Sequence, residues 1–240
     1  MNKQMLVTRI VTNFPQELRD LNQWVTWRIE IRDDKPTKVP YNARTGNMAE
    51  SDNPSTWSSF DQACATYLGG SYDGVGFMFS EHDPYAGVDF DKCIHDHIMD
   101  TTKAQWLRGL DSYSEYSQSE TGAHVIVCGK LPPNGRKSKT HSMEMYDERR
   151  FFVVTGDIIA NSPTTINERQ TELSVLHAMI FPPKQQAKHR GPERAFQQKP
   201  VLESDAELLQ RMFNSRNGAT IQSLWNGDKS AYSDDESAAD

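Results

Sequence analysis

The chain has 240 residues, of which 36% are hydrophobic and 10% aromatic, and its formal net charge is -7. This composition is typical of a globular protein with enough apolar material for one large domain or two small ones. No run approaches the ~20 apolar residues that a membrane helix needs, and the first residues lack the apolar core of a signal peptide, so we expect neither a membrane partner nor secretion.

Three segments before residue 70 carry structural predictions. The segment "NFPQELRDLNQWVTWRI" begins with a helix-like spacing of apolar residues and continues as a strand. Residues 32–57 are rich in Pro, Asn, Asp, Ser and Thr, which predicts a loop or a short hairpin. The segment "NPSTWSSFDQACATYL" predicts a helix that is N-capped by Ser55 or its neighbour. The apolar face of that helix would consist of Trp57, Phe60, Ala63, Cys64 and Tyr67.

The middle of the chain predicts further strands and one helix. "GVGFMFS" and "YAGVDFD" are predicted strands, and the short "EHDP" between them predicts a hairpin. A helix is predicted around "TTKAQWLRGLDSY". Further strands are predicted at "AHVIVCG" and "SMEMYD", which flank a basic loop, and at "RRFFVVTGDII". Helices and hairpins therefore intermix, which indicates an α+β fold with a mixed or antiparallel sheet and flanking helices.

The last part of the chain differs in composition. Residues 183–200 have few apolar side chains and carry five basic residues against one acidic residue, which predicts a basic linker. Residues 201–240 predict a small helical segment with a break near Asn217 and Gly218, and they carry three basic and eight acidic side chains. We therefore predict a main domain over 1–182, a linker over 183–200 and, over 201–240, a helical segment with the composition expected of part of a further domain.

The cysteines and tryptophans have simple interpretations. Cys64, Cys93 and Cys128 are odd in number, widely spaced and in no C-x-x-C pair, which favours a reducing cytoplasm over a disulfide framework. Trp24 and Trp27, together with Trp57, are predicted to lie in the core and not to stack on bases.

Two aspartates, Asp89 and Asp91, flank Phe90 in an otherwise apolar run. On a strand they share one face, with Cα atoms ~6.5–7 Å apart. Two carboxylates at this spacing suit hard cations such as Mg²⁺, and Glu144, between two methionines on a later strand, is a candidate third acid. A solvated polar face remains the alternative for the pair taken by itself.

His124 begins an apolar strand directly after the Ser/Thr/Gly turn in "SETGAH". An imidazole at this position can hold a phosphate group, and Ser119, Thr121 and the Gly122 amide can add donors in an anion-binding turn. An ordinary histidine at the surface or with satisfied hydrogen bonds is the alternative for this residue alone.

Taken in order, "VDFD", "SETGAH" and "SMEMYDERRFFVVTGD" resemble the primase–polymerase domains of phages and plasmids. These domains belong to the archaeo-eukaryotic primase superfamily, whose hallmarks are a D-x-D motif, a small-x-H motif and a third acidic residue on a strand. The segments "WVTWRIEIRDDKPTKVPYNARTG" and "NPSTWSSFDQA" look like the lead-in of this family. The resemblance therefore covers roughly residues 20–160.

The resemblance implies a template-directed DNA primase and DNA polymerase of a phage, plasmid or other mobile element, acting in the cytoplasm of a bacterial or archaeal cell. Its implied cofactor is Mg²⁺ or Mn²⁺, and its implied partners are single-stranded DNA template and primer, nucleoside triphosphates and a helicase domain in the full-length protein. The implied metal ligands are Asp89, Asp91 and Glu144. His124 would contact the phosphates of the nucleotide, Arg150 a phosphate or the template, and Lys38 the nucleotide.

Two alternative functions remain open: a DNA-binding module without catalysis that loads a replicative helicase, and a metal-dependent nuclease.

Two further signals have ordinary explanations. Cys93, His95 and His97 have alternate spacing that zinc could use, but a fourth ligand is missing from the pattern, so an exposed loop is favoured. The basic loop at 130–141 is most simply a solvated turn, and beside a polymerase site it would suit a template strand.

Overall fold

The computed structural model describes residues 2–182 and 205–228 of the chain. The chain divides into two compact units, Met1–Lys184 and Gln185–Asp240. The predicted basic linker at 183–200 lies outside the described residues, as do both ends of the predicted segment at 201–240. None of the described helices is long and apolar enough to cross a membrane.

The first unit contains five described α-helices and eleven strands. The helices are α1 (Lys3–Asn13), α2 (Gln16–Arg19), α3 (Phe60–Gly69), α4 (Thr101–Leu110) and α5 (Gln170–Ile180). The strands are β1 (Trp24–Arg32), β2 (Lys35–Tyr41), β3 (Gly74–Phe79), β4 (Tyr85–Phe90), β5 (Ile94–His95), β6 (Ile98–Met99), β7 (Ser114–Tyr116), β8 (Ala123–Cys128), β9 (Lys137–Ser138), β10 (Met143–Tyr146) and β11 (Arg150–Val153).

Two antiparallel sheets form the centre of this unit. One has four strands in the order β11-β3-β1-β2, and the other has five strands in the order β7-β8-β4-β10-β9. Strands β5 and β6 form a separate small ribbon. Every described strand pair within the sheets is antiparallel, which confirms the predicted α+β class with antiparallel pairing.

The alternation of side chains along β4 separates two apolar cores. Val88 and Phe90 pack on one face of the five-stranded sheet, in a core that also contains residues of α4 and α5. Gly87 lies on the other face, where a Cβ atom would come within 2.5–2.8 Å of ring atoms of Phe79 and Phe152. A residue without a side chain is therefore required where these two aromatic rings cover the sheet.

A second core contains residues of α1, α2 and α3 and the four-stranded sheet. Trp24 is fully buried there and makes edge contacts with Phe14, Phe60 and Phe77. Trp27 is also buried, which confirms its predicted place in the core. Aromatic rings in edge-to-face contact add to the stabilisation that burial of their apolar area provides.

The sequence predicted a hairpin between the strands labelled here as β3 and β4, and this prediction is wrong. Strand β3 pairs with β1 and β11, so both of its edges are already used, and β4 pairs with β8 and β10 in the other sheet. The connection is fixed by Asp83, whose buried carboxylate accepts hydrogen bonds from the backbone N–H groups of Ser80 and Tyr85 at 2.9 and 2.8 Å. The chain therefore crosses from one sheet to the other at this turn.

The helix predicted after residue 53 begins later than expected. Pro54–Thr56 form a 3₁₀ turn, and α3 begins at Phe60 with Ser59 as its N-cap, because the Ser59 side chain accepts from the Gln62 N–H. Trp57 is buried, as predicted for the core, but it precedes the helix and packs with Val25. The remaining predicted face of α3 is buried as expected.

Several other predictions are confirmed. The short hairpin is β1–β2, in which Asp33 and Asp34 adopt positive φ values of 49° and 58° at the turn. The helix α4 and the strands β8, β10 and β11 occur where the sequence predicted them. Helices α1 and α5 were not predicted.

The second unit contains two described helices, α6 (Asp205–Phe213) and α7 (Gly218–Trp225). The interruption between them lies next to the predicted break near Asn217 and Gly218. Phe213 and Trp225 pack in an edge contact with their ring centroids 6.4 Å apart.

Candidate active site

The register of the five-stranded sheet places four polar side chains in one row. Glu144 of β10 pairs with Asp89 of β4, Asp89 pairs with His124 of β8, and His124 pairs with Glu115 of β7. Directly opposite residues of antiparallel strands project to the same face of a sheet. The row therefore lies on one face, opposite the core that contains Val88.

Asp89 is at the centre of this row and only partly exposed. Its Oδ1 atom lies 3.8 Å from Nε2 of His124. Burial raises the pKa of Asp89, the charge of His124 opposes this increase, and repulsion from Asp91 and Glu144 adds to it. The Asp89 backbone belongs to the sheet ladder, but its carboxylate accepts none of the side-chain hydrogen bonds described for residues 2–182, so its oxygens are available to a ligand.

Asp91 follows the end of β4 and is exposed. Its backbone N–H donates to the carbonyl oxygen of Ser142 at 2.9 Å, which ties this residue to the segment before β10. The structure thus places the second aspartate beside the row and not within it.

His124 is buried between two carboxylates. Its Nδ1 atom has no hydrogen-bond partner and lies 3.5 Å from Oε1 of Glu115, while Nε2 faces Asp89. Burial alone would lower the pKa of His124, but Glu115 and Asp89 outweigh this effect and raise it. The ring also packs against Phe152, with ring centroids 4.9 Å apart.

Glu144 is buried and already neutralised by basic side chains. One carboxylate oxygen pairs with the ammonium group of Lys137, and the other accepts from Arg150 at 3.0 Å and from the Tyr146 hydroxyl at 2.9 Å. Burial alone would raise the pKa of Glu144, but these three partners lower it.

A cavity of about 400 Å³ opens over the middle of this row, at Asp89 and His124. Lys38 lines the cavity, with its ammonium group 5.4 Å from the centroid of the Trp27 ring. Partial burial of that ammonium lowers the pKa of Lys38, and the charges of Asp89 and Asp91 oppose the decrease. The lining residues are Pro36, Thr37, Lys38, Asp89, His124, Arg150, Phe151, Phe152 and Val153.

The predicted anion-binding turn is separate from this cavity. Ser119 shares hydrogen bonds with the hydroxyls of Ser117 and Thr121, at 3.2 and 2.8 Å. The Gly122 N–H donates to the Ser117 hydroxyl at 3.1 Å. Of the predicted nucleotide contacts, the structure therefore brings together His124 and the two basic residues at the cavity, whereas the turn does not line it.

The donor chemistry fits a divalent cation at the aspartates. Asp89 and Asp91 supply the oxygen ligands that Mg²⁺ prefers, with room for water and phosphate oxygens. Within residues 2–182 and 205–228, however, no three His, Cys, Asp or Glu side chains converge into a group that could bind a metal ion. Glu144 would have to release Lys137 to serve as a third ligand.

The Cys93, His95 and His97 pattern forms no compact site either. Cys93 is buried, and burial raises the pKa of its thiol to about 11. His95 and His97 are exposed, at and just after β5.

Two contacts of the site were missed by the sequence analysis: that of Glu115 with His124 and that of Lys137 with Glu144. Glu115 lies in the short strand "SEY", where it resembles a surface residue among serines. Lys137 lies in the basic loop, which gives no local indication of its contact with Glu144. Only the strand pairing could have revealed Glu115 as a site residue, because it places Glu115 directly opposite His124.

Comparison with known proteins supports a primase–polymerase relationship. No family model matches the chain. The chain is 35% identical over 148 residues to a "DNA Primase-polymerase" from Nitratiruptor phage NrS-1, an alignment that covers 57% of this chain and 19% of that protein. The chain thus spans only a minor part of the length of this relative. The relationship inferred from the sequence motifs is confirmed.

Proposed function

We propose that this chain is a template-directed nucleotidyltransferase, the catalytic domain of a DNA primase and DNA polymerase that replicates a phage, plasmid or other mobile element. The observation that carries the proposal is the cavity in which Asp89 lies beside His124, with Lys38 and Arg150 at the wall. The similarity to the phage primase–polymerase supports it.

The charges around the cavity suit a triphosphate bound with a divalent cation. Three of the side chains that line the cavity, Lys38, His124 and Arg150, can donate hydrogen bonds to phosphate oxygens. Asp89, which lines the cavity, and Asp91, two residues further along the chain, supply carboxylate oxygens for the cation. A bound Mg²⁺ or Mn²⁺ would supply positive charge that favours ionisation of the attacking hydroxyl and offsets the charge of the phosphates.

The proposed reaction is an in-line displacement at phosphorus. The 3′ oxygen of the primer, or of the first nucleotide when a new strand begins, forms a bond to the α-phosphorus. The bond from that phosphorus to the bridging oxygen of pyrophosphate breaks, and the hydroxyl proton passes to solvent. In this reaction His124 holds the triphosphate through Nε2, and Asp89 and Asp91 hold the cation.

Single-stranded DNA is the proposed template, and a helicase domain the proposed partner in a longer chain. In the basic loop, Arg136 is paired with Asp147 at 3.0 Å and Lys137 with Glu144, while Lys139 is exposed. Lys139 is therefore the loop cation best placed to contact a phosphate of the template. The proposed location is the cytoplasm of the host cell.

The test is incorporation of labelled nucleotides on single-stranded DNA, with and without an annealed primer, in Mg²⁺ or Mn²⁺. The full chain should synthesise DNA, and a variant with both Asp89→Ala and Asp91→Ala should not. The matched control replaces Asp33 and Asp34 with Asn, because these aspartates lie in an exposed turn where Asn tolerates positive φ. This control should remain active.

The same assay separates the alternatives. DNA binding without any incorporation would favour a helicase-loading module. Degradation of the labelled strand in the absence of nucleotides would favour a nuclease. Full synthesis by the Asp89 and Asp91 variant would overturn the assignment of the site.

A further inference from the structure

Glu115 is the end of the polar row farthest from Glu144, and it is almost completely buried, with 2% of its surface exposed. Its two oxygens accept hydrogen bonds from three groups: Oε1 from the Thr155 N–H at 3.1 Å, and Oε2 from the Gly156 N–H at 2.8 Å and the Tyr113 hydroxyl at 2.8 Å. A buried carboxylate is retained only where such donors compensate for its lost hydration.

One acceptor direction of this carboxylate faces His124. An ionised carboxylate can accept about four hydrogen bonds, and three are described for Glu115. The Oε1 atom lies 3.5 Å from Nδ1 of His124. Among the described residues, this Nδ1 atom is the one buried side-chain nitrogen or oxygen atom without a hydrogen-bond partner. The two atoms are therefore the natural partners of each other.

We infer that Glu115 is a positioning residue for His124: it receives the Nδ1 proton, fixes the ring plane and directs Nε2 into the cavity. The Thr155 and Gly156 amides and the Tyr113 hydroxyl hold Glu115 in place for this purpose. Outer carboxylates fix functional histidines at metal sites in the same way. The inference rests on the proposed function, because it assigns His124 to the triphosphate.

The competing explanation is purely structural. Glu115 joins β7 to the segment after β11 through the two amides, so its loss would also weaken the fold. Asp83 offers a matched control, because it is a buried carboxylate that accepts two backbone N–H groups in a turn outside the site. Asp83→Asn should reduce stability without changing nucleotide affinity.

The kinetic test is a double-mutant cycle on a primed template. Glu115→Gln should raise the nucleotide KM by roughly tenfold, the lower end of what loss of an outer carboxylate costs at a histidine site, with a smaller change in kcat. In a His124→Ala background the same substitution should change KM no further, since Glu115 acts through the ring. An unchanged KM, or an equal increase in both backgrounds, would overturn the inference.

A second measurement does not depend on activity or on any Glu115 variant. Long-range ¹H–¹⁵N spectra of the parent protein labelled in histidine report which ring nitrogen carries a proton, and His124→Ala assigns the resonances. The inference requires a proton on Nδ1 of His124. An Nδ1 atom without a proton would refute it. A parent that lacks incorporation but keeps this proton would instead count against the proposed polymerase function alone.

Discussion

Replacement of Asp89 by Asn tests the proposed cation site through stability as well as activity. Burial raises the pKa of Asp89, so the ionised form is disfavoured in the folded state. For an acid with a raised folded-state pKa, the stabilising contribution is present below the unfolded pKa and is lost as the pH rises through the folded pKa. At neutral pH and without metal, Asp89→Asn should therefore leave the melting temperature unchanged or raise it.

A bound cation should make the parent protein more stable than Asp89→Asn. A ligand that binds only the folded state stabilises it by about 1.4 kcal/mol at a concentration ten times its Kd and about 2.7 kcal/mol at one hundred times. Residues 1–184 form one compact unit. For a unit of this size, each kcal/mol corresponds to about 2–4 °C in melting temperature. Saturating Mn²⁺ should therefore raise the Tm of the parent by roughly 3–10 °C, and that of Asp89→Asn by much less.

The assay is thermal unfolding in EDTA and in a series of Mg²⁺ and Mn²⁺ concentrations, with the Asp33 and Asp34 double variant as the control. That control should show the same shift as the parent. An identical metal-dependent shift in Asp89→Asn would refute the location of the site. A large loss of stability of Asp89→Asn in EDTA would refute the electrostatic argument, since it would show that the carboxylate supports the fold.

Three further predictions use other parts of the chain. Gly87→Ala should destabilise the protein by about 1–3 kcal/mol in denaturant titrations, because its Cβ would overlap the rings of Phe79 and Phe152, and an unchanged midpoint would contradict this packing. His124→Ala should raise the nucleotide KM more than it lowers kcat, whereas an unchanged KM with a collapsed kcat would indicate an essential base. A chain that ends at Pro182 should fold and extend an existing primer; circular dichroism and the primer assay would detect failure.

The positions of the longer strands could be predicted from the sequence, but the short strands β5, β6, β7 and β9 and the strand partners could not. Asp89 was expected to project from one face of its strand and Phe90 from the other. In β4, Phe90 is indeed fully buried in the core that contains Val88. The expected hairpin would have placed β4 beside β3. Instead β4 lies between β8 and β10, and only this non-local pairing makes Glu144 and His124 the cross-strand neighbours of Asp89.

Helix α1 was not predicted because its sequence gives conflicting local signals. Asn2 accepts a hydrogen bond from the Gln4 N–H as its N-cap, and Leu6, Val7 and Ile10 form its buried face. This spacing is a helical signal. The β-branched residues on the same stretch, among them Val11, weaken the intrinsic preference for a helix, so burial against the core decides the outcome.

Glu144 shows why a list of acidic residues does not by itself define a metal site. The sequence places three acids in the order expected for a primase–polymerase, but strand pairing adds Lys137 and Arg150 to the third acid. In this arrangement Glu144 holds Arg150, a residue that lines the cavity, while the carboxylate of Asp89 has no described hydrogen bond. Negative charge available to a cation is therefore concentrated at Asp89 and Asp91. The side chains of the cavity that can donate to phosphates come from three other strands: Lys38 from β2, His124 from β8 and Arg150 from β11.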